Sequence, residues 1–166
     1  MSIVTVVCNA TPLINFAAIN RLDILKATFG QIVIPQAVCD ETTVKGFPAS
    51  EFVLQAIAAN WLQVRQVSTI TSNIPPELDD GEREAIALAL ETGELQILLD
   101  EREARQVAQS LGLQVIGTLS ILLLAKNRGI ITQVKPVLDA MINYAQYWGS
   151  RPLYEQVLRQ TRELFE

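Results

Sequence analysis

Short runs of apolar, mostly β-branched residues recur along the chain at Ile3–Val7, Gln31–Ile34, Leu62–Val67, Leu95–Leu99 and Gln114–Ile116. Runs that are apolar on both faces suit the strands of a parallel sheet, which is covered above and below. Between them the apolar positions fall at helical spacing. Pro12–Ile19 carries proline in its first turn, Leu22–Phe29 closes at Gly30, Gln36–Thr42 follows Pro35, and Glu51–Ala59 follows Ser50, a predicted N-cap. Glu82–Thr92 is the best-marked helix: Asp79 caps it, Glu82 three residues on completes a capping box, and Gly93 ends it. Arg102–Leu111 ends at Gly112 and Leu119–Arg128 at Gly129; Val134–Trp148 follows, then Pro152–Phe165 after Ser150. This alternation predicts an α/β fold of three layers, a central parallel sheet flanked by helices and joined by right-handed crossovers. Ser68–Pro76 is the only linker-like stretch and is too short to separate domains. Residues 1–166 therefore read as one domain, with a helical extension at about 132–166.

Composition removes most chemistries. The chain has 166 residues and 49% apolar content, enough for a real core without a disulfide or structural metal. With 19% charged residues and a mean hydropathy of +0.25, some apolar surface is expected to be shared with a partner. There is no histidine, which excludes Ser-His-Asp and Cys-His catalysis, the H-E-x-x-H metal site and histidine-ligated haem. Two cysteines, Cys8 and Cys39, are too few for Cys₄ zinc or iron–sulfur centres and read as buried small hydrophobes. Any metal must then be a hard cation held by oxygen. The net charge of −5 shows no basic excess for nucleic acid, so phosphate contacts must come from local basic groups. The N-terminus lacks the pattern of a signal peptide, and the densest apolar stretch, Leu119–Ala125, is far short of the ~20 residues of a membrane helix. A cytoplasmic protein without a membrane partner is expected.

In parallel sheets ligands bind beyond the carboxyl ends of the strands. Asn9 and Thr11 follow the first predicted strand, Glu41 lies in the helix after the second, Asp100-Glu101 follows the fourth, and Thr118 and Ser120 follow the fifth. Glu82 and Glu84 open the helix that leads into the fourth. Convergence of Asn9, Glu41, Glu82 and Asp100 on one edge gathers three carboxylates and an amide oxygen, whose mutual repulsion Mg²⁺ or Mn²⁺ relieves. Such a shell serves phosphoryl chemistry. No phosphate-binding loop of the G-x-x-x-x-G-K-[ST] type and no helix-opening G-x-G-x-x-G is present. The first strand does not lead to an acidic pair, so a receiver-type reading fails.

Each residue also has a plainer use. Asn9 is either a metal-site position or the side-chain cap of the following helix, and Glu82 is either a ligand or half of a capping box. Asp79, Asp80 and Glu84 read as solvated first-turn charges. Arg83, Arg102 and Arg105 contact phosphate or pair with Glu84, Glu101 and Glu103. Thr118 and Ser120 bind a water or phosphate, or cap a helix. Trp61, Tyr144, Tyr147 and Trp148 stack on bases, or pack a core or dimer seam.

Taken in order, Val7-Cys8-Asn9-Ala10-Thr11-Pro12-Leu13-Ile14, Ile34-Pro35-Gln36-Ala37-Val38-Cys39-Asp40-Glu41, Leu78-Asp79-Asp80-Gly81-Glu82-Arg83-Glu84-Ala85 and Leu98-Leu99-Asp100-Glu101 resemble the PIN-domain family. Gly112-Leu113-Gln114-Val115-Ile116-Gly117-Thr118 and Ala125-Lys126-Asn127-Arg128-Gly129 fit its nucleic-acid-binding PIN-like branch, related to VapC-type toxins. The resemblance spans nearly the whole chain. It implies a PIN-like (Rossmann-like) fold and a metal-dependent ribonuclease acting on RNA, with Mg²⁺ or Mn²⁺ held by acids. It also implies a toxin-type component restrained by a small antitoxin, and a homodimer. Glu41, Glu82 and Asp100 fall on three acids of that pattern; Asn9 stands where the family typically has aspartate. The expected metal set is Asn9, Glu41, Glu82 and Asp100, the last three also catalytic, with Thr11, Glu84, Glu101 and Thr118 auxiliary. An amide contributes a dipole rather than a charge, so the alternative is a catalytically impaired module that keeps the fold and binds nucleic acid or protein.

Overall fold

In the computed structural model, residues 5–145, 147 and 150–164 are described. The predicted residues Ile3, Val4, Trp148 and Phe165 lie outside them. Five strands form one parallel sheet: β1 (Thr5–Cys8), β2 (Gln31–Pro35), β3 (Leu62–Arg65), β4 (Gln96–Leu98) and β5 (Gln114–Ile116), in the order β3-β2-β1-β4-β5. The register pairs Val6 with Ile32, Val7 with both Val33 and Ile97, and Leu98 with Ile116.

The helices are α1 (Ala10–Ala18), α2 (Leu22–Phe29), α3 (Gln36–Thr42), α4 (Ser50–Ala58), α5 (Asp80–Thr92), α6 (Arg102–Ser110), α7 (Thr118–Asn127), α8 (Lys135–Tyr144) and α9 (Arg151–Gln160). The chain is a three-layer α/β fold, with helices on both faces of its sheet. The period of two along each strand explains the apolar runs. Val6, Cys8, Ile32, Ile34 and Leu98 enter a core shared with α1, α2, α4, α7 and α8. Val7, Val33, Ile97 and Leu99 enter a second core beneath α5 and α6.

Several local expectations change. α1 begins at Ala10, two residues before the expected start, and Asn9 caps it through extended backbone without a side-chain hydrogen bond. α4 includes Ser50, whose side chain makes no capping bond, and β3 stops at Arg65, before Val67. The Asp79–Glu82 capping box, the left-handed Gly93 and the Ser150 cap are all present. α8 has no cap of its own. The Glu163 carboxylate accepts from the N–H groups of Val134 (2.8 Å) and Lys135 (2.7 Å), and from Lys126 Nζ at 2.9 Å. The end of the chain is thereby moored to the start of α8.

Candidate functional site

The strand order reverses at β1, so the crevice for a ligand opens where β1 and β4 end. Asn9 follows β1, and its N–H donates to the Leu98 carbonyl at 2.9 Å. This bond fixes the residue at the crevice and leaves it 3% exposed. Its amide Nδ2 donates to Glu101 Oε2 at 3.2 Å, while Oδ1 is buried without any donor. Glu101 also receives the Thr11 hydroxyl on Oε1. Beside it, Asp100 accepts from Thr118 N–H (2.8 Å) and the Thr118 hydroxyl (2.6 Å), and buried Asn15 donates to that hydroxyl at 3.1 Å. A Cβ at position 117, just after β5, would stand 3.0 Å from Asp100 Oδ1, so a side chain there would push on the carboxylate.

The first turn of α5 faces the same edge from below. Asp79 Oδ1 accepts from Glu82 N–H at 2.7 Å, and Glu82 Oε1 accepts from Asp79 N–H at 3.2 Å. Between them lies Gly81. A Cβ built there would be 3.3 Å from Glu41 Oε2, 3.4 Å from Asn9 Oδ1 and 3.5 Å from Asp79 Oδ1. Glu41 reaches this point because α3 is docked on α5, where the Ala37 N–H donates to Glu84 Oε1 at 3.1 Å.

Electrostatics ties the two sides together. Burial raises the Glu82 carboxyl to about 7, as do the Asp79 side chain and the charge of Glu101, while the Asp79 N–H it accepts draws it back. Burial raises Glu41 as well, with Asp79 and Glu101 adding. Asp100 is raised by burial, drawn back by its two Thr118 donors, and raised again by Glu101. Glu101 is the neighbour common to all three, so these carboxylates form one anionic edge.

They do not form one pocket. Asp100, Glu101, Thr11 and Thr118 line a hollow of about 650 Å³ roofed by α7 and α9, together with Arg105 and Tyr147. Glu41 lines a second hollow of about 360 Å³ with Asp79, Asp80 and Gly81. Among the described residues, no three His, Cys, Asp or Glu side chains gather closely enough to hold one ion. The convergence at Gly81 is two carboxylates and an amide oxygen.

The plainer readings resolve residue by residue. Asn9 makes no side-chain cap, whereas Glu82 does complete its capping box. Glu84 bridges α5 to α3 instead of standing solvated, and Thr118 turns its hydroxyl to Asp100. Arg83, Arg102 and Arg105 form no ion pairs among the described residues, and Arg83 Nε is buried without a partner. Trp61 is core, Tyr144 is exposed, and Tyr147 is half-buried with its hydroxyl raised to about 12 by burial and by Asp100. Burial pushes the Cys8 thiol far up, whereas Cys39 is only partly buried. Asp79, Asn15 and Glu163 were not singled out as site residues or tethers by the sequence.

A doubly wound parallel sheet with an acidic carboxyl edge defines an α/β fold whose ligand crevice lies at that edge. The chain belongs to the PIN-domain family: the family model described as DUF3368, a PIN domain, matches residues 5–163. No curated protein matches the chain at a significant level. No helix among the described residues is long and apolar enough to cross a membrane.

Proposed function

We propose that this chain is a divalent-metal-dependent ribonuclease that hydrolyses phosphodiester bonds of RNA at the carboxyl edge of its sheet, in the cytoplasm. The observation that carries the reading is the buried, donorless Asn9 Oδ1 amid carboxylates whose ionisation is opposed by burial and mutual repulsion. Burying an acceptor without a partner is costly unless something absent from the protein alone supplies it. The donors are all oxygen, which fits Mg²⁺ or Mn²⁺. Asn9 and Glu41, beside the Asp79–Glu82 capping pair, would hold it, while Asp100 and Glu101 would add negative charge from the adjoining hollow. Such an ion, when bound, polarises a phosphoryl oxygen and makes water acidic enough to attack at neutral pH.

The protein's own groups set the rest. Thr118 and Asn15 hold Asp100 in one orientation, and Thr11 and Asn9 do the same for Glu101. Arg105 is the only cation lining the Asp100 hollow among the described residues, placed to meet a phosphate. The toxin-type role, with a small antitoxin and a homodimer, is the finer part of this reading; exposed Tyr144 and Leu153 on the C-terminal helices support a partner surface there. Residues 1–166 would then act as one unit, with the helices from about 132 onward as its extension.

The test is cleavage of single-stranded RNA with Mn²⁺ or Mg²⁺, which Asp100→Asn abolishes; cleavage that persists in that variant refutes the assignment. A second reading, a binding module that has lost turnover, is favoured by one observation: Asn9 brings no charge to the edge and spends its amide N–H on Glu101. It predicts RNA or protein binding without cleavage.

A further inference from the structure

Gly81 lies in the first turn of α5, where Asp79 from the same capping turn and Glu41 and Asn9 from other elements approach it. Its backbone is not among the glycines of positive φ, so glycine is not required there for conformation. In a helix it is less favourable than alanine. What its missing side chain leaves open is the floor on which Glu41 Oε2, Asn9 Oδ1 and Asp79 Oδ1 converge, at 3.3, 3.4 and 3.5 Å. The amide oxygen among them belongs to a residue 97% removed from solvent by its 3% exposure and has no donor. Glu41 and Asp79 are exposed and face solution at the rim, whereas Gly81 and Asn9 Oδ1 are buried beneath them.

We infer that a divalent cation sits against Gly81, held by Asn9 Oδ1 and the carboxylates of Glu41 and Asp79, and that Glu82 positions Asp79 instead of being a ligand. The inference deepens the metal-dependent reading above and rests on it. Glu82 is already committed: its Oε1 takes the Asp79 N–H, and its own N–H holds Asp79 Oδ1. A carboxylate oxygen bound once retains a lone pair for a cation. Asp79 thus brings to the seat a charge that the neutral Asn9 does not.

Three substitutions separate space, charge and position in the full-length chain, with Mn²⁺ alone as probe and calorimetric titration as readout. Asp79→Asn keeps a good N-cap and removes one charge; the expected result is roughly tenfold or greater loss of Mn²⁺ affinity, the size seen when a metal site loses a partner. Gly81→Ala strengthens the helix but fills the floor; affinity falls by a similar factor while the melting temperature does not fall. Glu82→Gln preserves the capping box and costs several times less than Asp79→Asn. Equal or greater loss in Glu82→Gln, or wild-type affinity in Asp79→Asn, overturns the seat. Should Gly81→Ala fail to fold, the comparison of the other two decides. If the unaltered chain binds Mn²⁺ and Asp79→Asn binds it equally, only the seat falls; if the unaltered chain binds none, the metal-dependent function falls with it.

Discussion

Glu163 offers the cleanest perturbation, because its surroundings are defined and it lies outside the acidic edge. Burial alone would raise its carboxyl. Lys126 Nζ, the N–H groups of Lys135 and Val134, and Thr161 more than reverse this and hold it down to about 2. The residue is 4% exposed and its lysine partner 28%. Against an ordinary value of 4.5, a folded value near 2 corresponds to a ceiling of about 3 kcal/mol, at 1.36 kcal/mol per unit. The partly exposed lysine brings the net nearer 2 kcal/mol through solvent screening. Glu163→Gln keeps the shape, removes the charge, and sets an NH₂ group against backbone donors at the uncapped start of α8. A fall in melting temperature of about 4–8 °C follows for a chain of this size. The sign with pH is fixed: the folded pKa lies below the unfolded one, so the stabilisation is complete above about 4.5 and is lost as pH falls through about 2. The difference between parent and variant, measured by urea unfolding, is therefore smaller by roughly a third at about pH 3.5 than at about pH 7. Because α9 roofs the Asp100 hollow, limited proteolysis should also cut the 150–164 segment faster in the variant. A melting temperature within about 1 °C of the parent, or a difference that grows on acidification, refutes the mooring.

The acidic edge titrates with the opposite sign. Glu82 is raised to about 7, and Glu41 and Asp100 are raised as well, so the fold binds protons more tightly than the unfolded chain; stability falls as pH rises from about 4.5 through about 7. Mn²⁺, which favours the ionised forms, should then raise the melting temperature more at about pH 8 than at about pH 5; equal shifts at both would sink this account. Asn9→Asp replaces a 3.2 Å hydrogen bond to Glu101 by a like-charge contact, and should lower the melting temperature in EDTA by about 4–8 °C while binding Mn²⁺ more tightly than the parent. If Mn²⁺ binds no better, position 9 does not face the ion. Arg105→Ala should weaken single-stranded RNA binding about three- to tenfold at low salt, with the loss shrinking as salt rises; unchanged binding on a filter assay removes Arg105 from the phosphate path.

The sheet was readable because burial on both faces leaves a mark that survives without alignment: Val6 and Val7 point into different cores, and both must be apolar. Element ends were less readable. Asn9 looks like a side-chain cap, yet tertiary contact with Glu101 claims its amide, and the backbone caps α1 alone. That Asn9, Glu41 and Asp100 fall on the carboxyl side of the sheet was legible, because strand direction puts the residues after β1, β2 and β4 on the same side. Their division between two hollows was not, since it depends on where α9 and Glu101 lie. Asp79 was hidden for a different reason. A first-turn acid facing water and one turned toward a buried amide have the same local sequence. The signal that could have found it is the capping box itself, which fixes the Asp79 carboxylate two residues before Gly81. Glu163 carried no local signal, as its partners are 28, 29 and 37 residues away.

The asparagine at position 9 is best understood together with Glu101. Glu101 adds charge against Glu41, Glu82 and Asp100 at once. An aspartate at position 9 would add another carboxylate within contact distance of it. The amide does two jobs that a carboxylate cannot combine. Its N–H side neutralises part of Glu101, and its oxygen side, by being left without a donor, faces the floor at Gly81. The charge that the end of β1 does not carry is supplied beside the same floor by Asp79, the cap of α5. On this view Asn9 does not mark an edge that has lost its chemistry. It marks one in which the negative charge has been redistributed, from the end of β1 to Glu101 on one side and Asp79 on the other.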